Sequence, residues 1–414
     1  MEKVSAKLTD EEYEKSMSTT LSTRMAAVKM SPTTALFGKV EELRRKGEDI
    51  VSLNVGEPDF PTPDNIKEAG IRAINENFTK YTTGNGIAPL REAIIEKMKK
   101  DNGVTYEMNE VAVTVGAKQA LFGALCAVAG EGDEVIIPIP CYVSYPDMVA
   151  LAGAKPVLVK RKDDFSLDLE AIESAINERT KAVIICTPDN PTGKVYGEDE
   201  LKGLSDLAIS RDIFVISDEI YEKIIYGENR HKSISAFEGM KDRTIVVNGF
   251  SKTYSMTGWR LGYVCGRADV IGAAVKVQSQ TTTTPPSISQ YAAVEALCGP
   301  QDSVELMRSE FEKRRDFVQE KLRGIPGVIC HEIQGAFYAF FDIRAFLGKE
   351  YEGYGIIDDD TRLCEYLLEK YGVAMMPGSA YFAPGFVRIS FASSMEVLKK
   401  ALSRIESGLK AHKC

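Results

Sequence analysis

From about residue 63 to 298 the chain alternates short apolar runs, rich in β-branched residues, with longer stretches whose apolar positions recur at helical spacing. The runs at 111–115, 134–137, 156–159, 182–186, 214–217, 244–248 and 262–265 read as strands. They are apolar at consecutive positions, as in Val183-Ile184-Ile185, so both faces of the sheet they form must be covered. This pattern predicts an α/β fold with a mainly parallel, seven-stranded sheet between helices. After about residue 304 the pattern changes: a long charged helix at 305–323, a strand at 335–341, a helix at 364–371, a strand at 386–391 and a helix at 395–409. That mixture fits a smaller α+β domain, and an early helix at 34–46 is expected to pack on it. The predicted division is an N-terminal extension at 1–30, a large domain at 63–303, and a small domain assembled from 31–62 and 304–414. No internal repeat is present.

Composition narrows the function classes. At 414 residues with 44% hydrophobic positions, the chain has material for at least two cores. A formal net charge of −9, without a dense basic cluster, speaks against a nucleic-acid surface. Anionic ligands must then be caught by local cations. The eight cysteines lie far apart in mostly apolar runs and form no CxxC pair, which suits reduced thiols of a cytoplasmic protein better than disulfides or a zinc site. With only His231, His331 and His412, neither a His-rich metal centre nor a His-based triad is expected. The sequence predicts no membrane span and no secretory signal. Residues 1–20, charged and rich in Ser and Thr, read as an extension or docking arm.

The strongest chemical signal is Ser251-Lys252-Thr253-Tyr254-Ser255-Met256-Thr257-Gly258-Trp259-Arg260. A lysine amine condenses with an aldehyde, while a neighbouring hydroxyl and a guanidinium hold a phosphate, so the grouping suits pyridoxal phosphate. The strand at 214–217 ends in Asp218, with Tyr221 three residues on. Ligands of an open parallel sheet sit beyond the carboxyl ends of its strands, and a carboxylate there keeps a pyridine nitrogen protonated. The same aspartate also suits a helix N-cap ahead of 219–223, and the two readings are compatible. Gly116-Ala117-Lys118, where a strand runs into a helix, offers N–H groups to a phosphate. Asn190-Pro191-Thr192-Gly193 is a rigid turn that projects an amide from a strand end. Arg388 interrupts an apolar strand, and its guanidinium needs a carboxylate from either the protein or a substrate.

Taken together, Lys252 within its Thr257-Gly258-Trp259-Arg260 context, Asn190-Pro191-Thr192-Gly193, Asp218 with Tyr221, and Arg388 resemble the fold-type I, class I pyridoxal-phosphate aminotransferases. The resemblance covers about 31–409 and is strongest to bacterial-type Ib aspartate aminotransferases, through Gly56-Glu57-Pro58-Asp59-Phe60, Tyr81-Thr82-Thr83-Gly84, Gly116-Ala117-Lys118-Gln119 and Tyr145-Pro146-Asp147-Met148. It implies that Lys252 carries the cofactor and shuttles the substrate proton. Asp218 would pair with the ring nitrogen, and Asn190 and Tyr221 would hydrogen-bond the ring oxygen. Ser251, Arg260 and Gly116-Ala117-Lys118 would bind phosphate, joined by Tyr81 from a second subunit, so a homodimer with shared active sites is implied. Tyr142 stands where the family usually has a tryptophan stacked on the ring. Arg388 would grip the substrate α-carboxylate, with Gly56 giving a backbone contact, and Lys118 and Thr33 would lie near a distal carboxylate. The implied reaction moves an amino group between aspartate and 2-oxoglutarate in two half-reactions. Prephenate, alanine or aromatic substrates, or the chemistry of a related carbon–sulfur lyase, are the alternatives within the resemblance.

Overall fold

The computed structural model describes residues 32–412, together with Met25 and Val28, so the rest of the expected extension lies outside the described residues. Seven strands form the central sheet: β1 (Val111–Thr114), β2 (Glu134–Ile139), β3 (Lys155–Lys160), β4 (Thr180–Cys186), β5 (Phe214–Asp218), β6 (Thr244–Gly249) and β7 (Gly262–Cys265). Their spatial order is β1-β7-β6-β5-β4-β2-β3. Neighbours from β6 to β3 pair in parallel, and only β7 runs antiparallel, to both β1 and β6.

Consecutive apolar residues divide between two helical layers, as the pleat requires. Ile184, Ile216 and Val247 belong to one core, while Val183, Ile185 and Val215 belong to the core on the opposite face. The exception is the edge strand β3, whose terminal Lys155 and Lys160 are exposed and discourage further strand pairing.

The parallel arrangement brings the carboxyl ends of β4, β5 and β6 to one edge of the sheet, where the chain continues into Asn190, the Asp218 turn and Lys252. The reversed strand β7 begins at this edge, with Gly262 lying opposite both Gly249 and Thr114. Arg260 is thereby delivered to the same place as the Gly116–Val128 helix start. There is no room for a side chain at 262, since a Cβ would lie 2.6 Å from the Ala117 nitrogen.

A second, antiparallel sheet lies in the C-terminal part, in the order Met376–Pro377, Phe386–Ser390, Tyr338–Asp342, Ile329–Cys330. Helices Asp302–Arg323, Asp360–Tyr371 and Met395–Lys410 accompany it. The strand expected at 335–341 starts only at Tyr338, because the preceding backbone bonds elsewhere: Gly335 N–H donates to Gly193 O at 2.8 Å and Ala336 N–H to Ile224 O at 2.9 Å. Val51–Ser52 pairs in parallel with Val373–Ala374, and Val40 of the Pro32–Arg45 helix packs with Leu368 and Ala374. The chain near residue 50 is thus tied to its far end.

Residues 219–223 form turns instead of the helix that Asp218 was expected to cap. Asp218 still accepts from the Ile220 N–H at 3.2 Å, a local turn of the kind short polar side chains favour. Behind this turn lie two further buried carboxylates. Glu219 accepts from Ser217 Oγ at 2.9 Å and Ser233 Oγ at 2.7 Å and meets His231 Nε2 at 3.1 Å. Glu222 accepts from Asn248 Nδ2 at 2.9 Å and Asn102 Nδ2 at 3.0 Å, and pairs with Lys97. Glu219, Glu222 and His231 stand close enough to share a cation, and the ammonium of Lys97 is the one present at Glu222. Burial alone would raise the Glu222 carboxyl, but Lys97 and His231 outweigh it and hold the group at about 2.

Two stability outcomes follow from this packing. Lys97→Met leaves Glu222 buried without its counter-charge and should cost about 3–5 kcal/mol at neutral pH in denaturant unfolding. Glu222 titrates below its usual 4.5, so its stabilising contribution is complete above that pH and is lost as pH falls toward about 2. The gap between wild type and the Lys97 variant should therefore narrow across that window. Gly262→Ala should cost about 1–3 kcal/mol through overpacking against the Gly116–Ala117 backbone, read as a lowered unfolding midpoint.

Candidate active site

The strand ends enclose a cavity of about 350 Å³ at the boundary between the two sheets. Lys252, Asp218, Tyr221, Asn190, Tyr142, Ala117, Lys118, Ser251, Arg260, Gly56 and Arg388 all line it. These residues span more than 300 positions of sequence, and it is the folding of β4, β5, β6 and the second sheet onto one edge that collects them.

Lys252 follows β6, and its Nζ donates to the Gly56 carbonyl at 2.6 Å. Burial, reinforced by the positive charges of Arg388 and Arg260, lowers its ammonium to about 8 against the opposing pull of Glu57 and Asp218. A substantial fraction is therefore neutral near physiological pH, as a lysine nucleophile requires. Gly56 has no side chain for a steric reason: a Cβ there would lie 1.8 Å from the Tyr338 hydroxyl oxygen.

Asp218 ends β5 and is 5% exposed. Burial lifts its carboxyl to about 6, while hydrogen bonds from the Tyr145 hydroxyl at 2.9 Å and the Ile220 N–H limit the rise. The Tyr221 and Tyr338 hydroxyls are 2.8 Å apart. Asn190 is held at the end of a turn whose Asp189 pairs with the buried Arg161 through two contacts of 3.0 Å.

Arg388 sits on the Phe386–Ser390 strand and is 3% exposed. Its Nη1 donates to Asn190 Oδ1 at 3.0 Å and its Nη2 to the Asn54 carbonyl at 2.5 Å. The guanidinium carbon lies 4.4 Å from the Tyr338 ring centroid and 5.0 Å from that of Tyr381. Among the described residues no carboxylate forms an ion pair with it, and its Nε is buried without a hydrogen-bond partner. Of the two partners the sequence leaves open, the protein does not provide one here.

At the opposite side of the cavity, Gly116 opens its helix with φ of +79°, and a Cβ there would lie 2.8 Å from Arg260 Nη2. Arg260 itself adopts the left-handed region, with φ of 56°, and its Nη1 donates to the Thr257 carbonyl at 2.8 Å. A helix N-terminus, a guanidinium and the Ser251 hydroxyl thus surround a space suited to a phosphate. Lys118 Nζ donates to Ser144 Oγ at 3.3 Å and lies 5.6 Å from the centroid of the Tyr142 ring.

One expected residue stands apart from this cavity: Tyr81 is 87% exposed and does not line it within this chain. Thr33 belongs to the first turn of the Pro32–Arg45 helix, and its side chain lies outside the described residues. The structure adds Tyr145, Tyr338 and Cys186 to the lining. Tyr338 is one aromatic in a run of apolar residues and carries no distinguishing signal in sequence. Tyr145 stands in a motif that resembles the family, yet without an assigned task.

The residues fit pyridoxal phosphate on several counts. A buried amine with lowered pKa stands near a buried carboxylate, an aromatic ring is available for stacking, and a phosphate cradle would be filled by any side chain at 116. Comparison with known proteins agrees. The family profile described as aminotransferase class I and II matches residues 48–405. An aspartate aminotransferase from Bacillus sp. (strain YM-2) is 44% identical over 94% of this chain and 99% of its own. A probable aspartate/prephenate aminotransferase from Aquifex aeolicus is 45% identical over 94% of this chain and 98% of its own. Among solved structures, the aspartate aminotransferase of Thermus thermophilus with maleate superposes with a TM-score of 0.89 at 42% identity, covering 94% of this chain and 100% of that one. With a profile matched across most of the chain and relatives this similar aligned over nearly their whole length, the chain belongs to the class I and II aminotransferases, enzymes that use pyridoxal phosphate.

Proposed function

We propose that this aminotransferase moves an amino group between aspartate and 2-oxoglutarate in two half-reactions. The observation that carries the reading is Arg388, a buried guanidinium without a carboxylate partner among the described residues, facing the same cavity as Lys252. Three cations, Lys118, Arg260 and Arg388, line that cavity beside the Lys252 amine, against Asp218 as the one carboxylate among the described lining residues, although the chain as a whole carries −9. Such a local excess suits a phosphate plus a dicarboxylate. The Thermus relative was solved with maleate, itself a dicarboxylate.

When bound, pyridoxal phosphate supplies an aldehyde that receives the amino group and a ring that accepts electrons as the substrate Cα proton leaves. Lys252 would carry the cofactor, and its Nζ would take up and return that proton. Asp218 would hold the ring nitrogen, Asn190 and Tyr221 the ring oxygen, and Tyr142 would stack on the ring in place of the usual tryptophan. Ser251, Arg260 and the Gly116-Ala117-Lys118 turn would bind the phosphate. Arg388 would take the α-carboxylate by paired hydrogen bonds. Lys118, with Thr33 nearby, would take the distal one, and the Gly56 backbone would contact the substrate as the C-terminal unit closes.

The exposed Tyr81 has its natural place in the site of a second copy, and the exposed Ile71, Ile74 and Phe78 nearby in sequence favour a homodimer. The seven described cysteines form no disulfide, in keeping with a cytoplasmic enzyme. Prephenate as an amino acceptor is a second reading, favoured by the relative from Aquifex aeolicus whose name includes it.

Lys252→Ala should keep the fold but lower kcat by at least about 10³-fold, and borohydride should no longer trap cofactor on the peptide containing residue 252. Unchanged turnover would reject the assignment. Lys118→Ala should reduce the preference for aspartate over alanine by about tenfold or more, the scale of one charge-assisted hydrogen bond, as read from the ratio of kcat/KM values. A substrate panel that includes prephenate decides between the two acceptors.

A further inference from the structure

We propose that the Tyr145 hydroxyl is a positioning group for the transfer reaction, holding Asp218 as a carboxylate so that the proton it shares with the cofactor ring stays on the ring nitrogen. The inference rests on the reading above, in which Asp218 faces that nitrogen.

Tyr145 opens the Tyr145–Leu151 helix and is 2% exposed, and its hydroxyl lies 2.9 Å from Asp218 Oδ2. The Ile220 N–H, at 3.2 Å, serves the other oxygen, Oδ1. Among the described residues Tyr145 is therefore the side chain that hydrogen-bonds this buried carboxylate. Burial, with the negative charge of Asp218 beside it, keeps the phenol well above its usual pKa, so the hydroxyl remains a donor. Its ring meets Tyr142 edge-on, with centroids 5.4 Å apart and an interplanar angle of 82°. Replacing Tyr145 by Phe preserves that contact and removes only the hydroxyl.

A carboxylate that loses a hydrogen-bond donor in a desolvated site becomes more basic. With Oδ2 uncovered, the proton between the ring nitrogen and Asp218 moves toward the oxygen. The nitrogen loses its N–H and positive charge, the carboxylate becomes a neutral acid, and the total charge of the pair is unchanged. A neutral ring accepts electrons less readily, so the step that removes the Cα proton slows, while the groups that bind substrate carboxylates are untouched.

The experiment reconstitutes wild type, Tyr145→Phe, Asp218→Asn and the double variant with cofactor labelled by ¹⁵N in the ring, then records the nitrogen resonance alongside kcat and KM for aspartate. Tyr145→Phe should lower kcat about tenfold with KM altered less than about twofold, and should move the resonance toward that of an unprotonated pyridine. In the Asp218→Asn background the tyrosine substitution should have little further effect, as expected when one residue acts through the other. An unmoved resonance in Tyr145→Phe overturns the proposal whether or not kcat falls, because a fall alone marks a merely structural role. Full additivity in the double variant overturns it as well. If Asp218→Asn itself leaves the resonance at its wild-type position, the assignment of Asp218 fails and the proposal fails with it. If Asp218→Asn moves the resonance and Tyr145→Phe does not, only the present proposal is lost.

Discussion

The costly object around which this site is arranged is the carboxylate of Asp218, buried at the end of a central strand. Taking such a group out of water is unfavourable unless it is paired and hydrogen-bonded. Burial raises its pKa, and the Tyr145 hydroxyl, the Ile220 N–H and the nearby charge of Lys252 hold that rise to about 6. The turn that carries Asp218 is anchored from behind by Glu219 and Glu222, each satisfied by its own buried partners. One short segment thus presents Asp218 and Tyr221 to the cavity while its other two carboxylates fasten it to the protein.

The same electrostatic logic extends across the cavity. Lys252 is pushed toward the neutral amine by burial and by two guanidiniums, which is the state needed for reaction with an aldehyde. Those guanidiniums arrive from different parts of the fold. Arg260 comes from the loop before the one reversed strand of the large sheet, and Arg388 from the antiparallel sheet. Arg388 bonds to Asn190 and to the Asn54 backbone, so it bridges the turn after β4 and the segment near residue 54. A carboxylate bound there would touch both parts of the molecule.

Much of this was legible in the linear chain. All seven runs read as strands of a mainly parallel sheet occur as strands, since consecutive Val and Ile residues in segments of this length bury well only between two covering layers. Lys252, Asp218, Asn190 and Arg388 stood out because each is a polar group next to, or within, an apolar strand, where its burial needs a chemical reason. The later start of the strand at Tyr338 was not legible, because the bonds that delay it go to Gly193 and Ile224, far away in sequence. The turns at 219–223 replaced an expected helix for a related reason: Glu219 and Glu222 have buried partners that a solvated helix would not offer them.

The residue pattern by itself determined the α/β architecture and pointed to the cofactor, because strand periodicity and the grouping of Lys252 with Ser251 and Arg260 are local properties of the chain. Tertiary structure alone decided which of many tyrosines and charges support that chemistry. Tyr145 on Asp218, Tyr338 against Gly56, and Lys97 against Glu222 are contacts between residues 73, 282 and 125 positions apart. No local spacing rule registers such pairs. They exist because the sheet edge and the packing of the second unit bring distant side chains to within hydrogen-bonding or van der Waals distance.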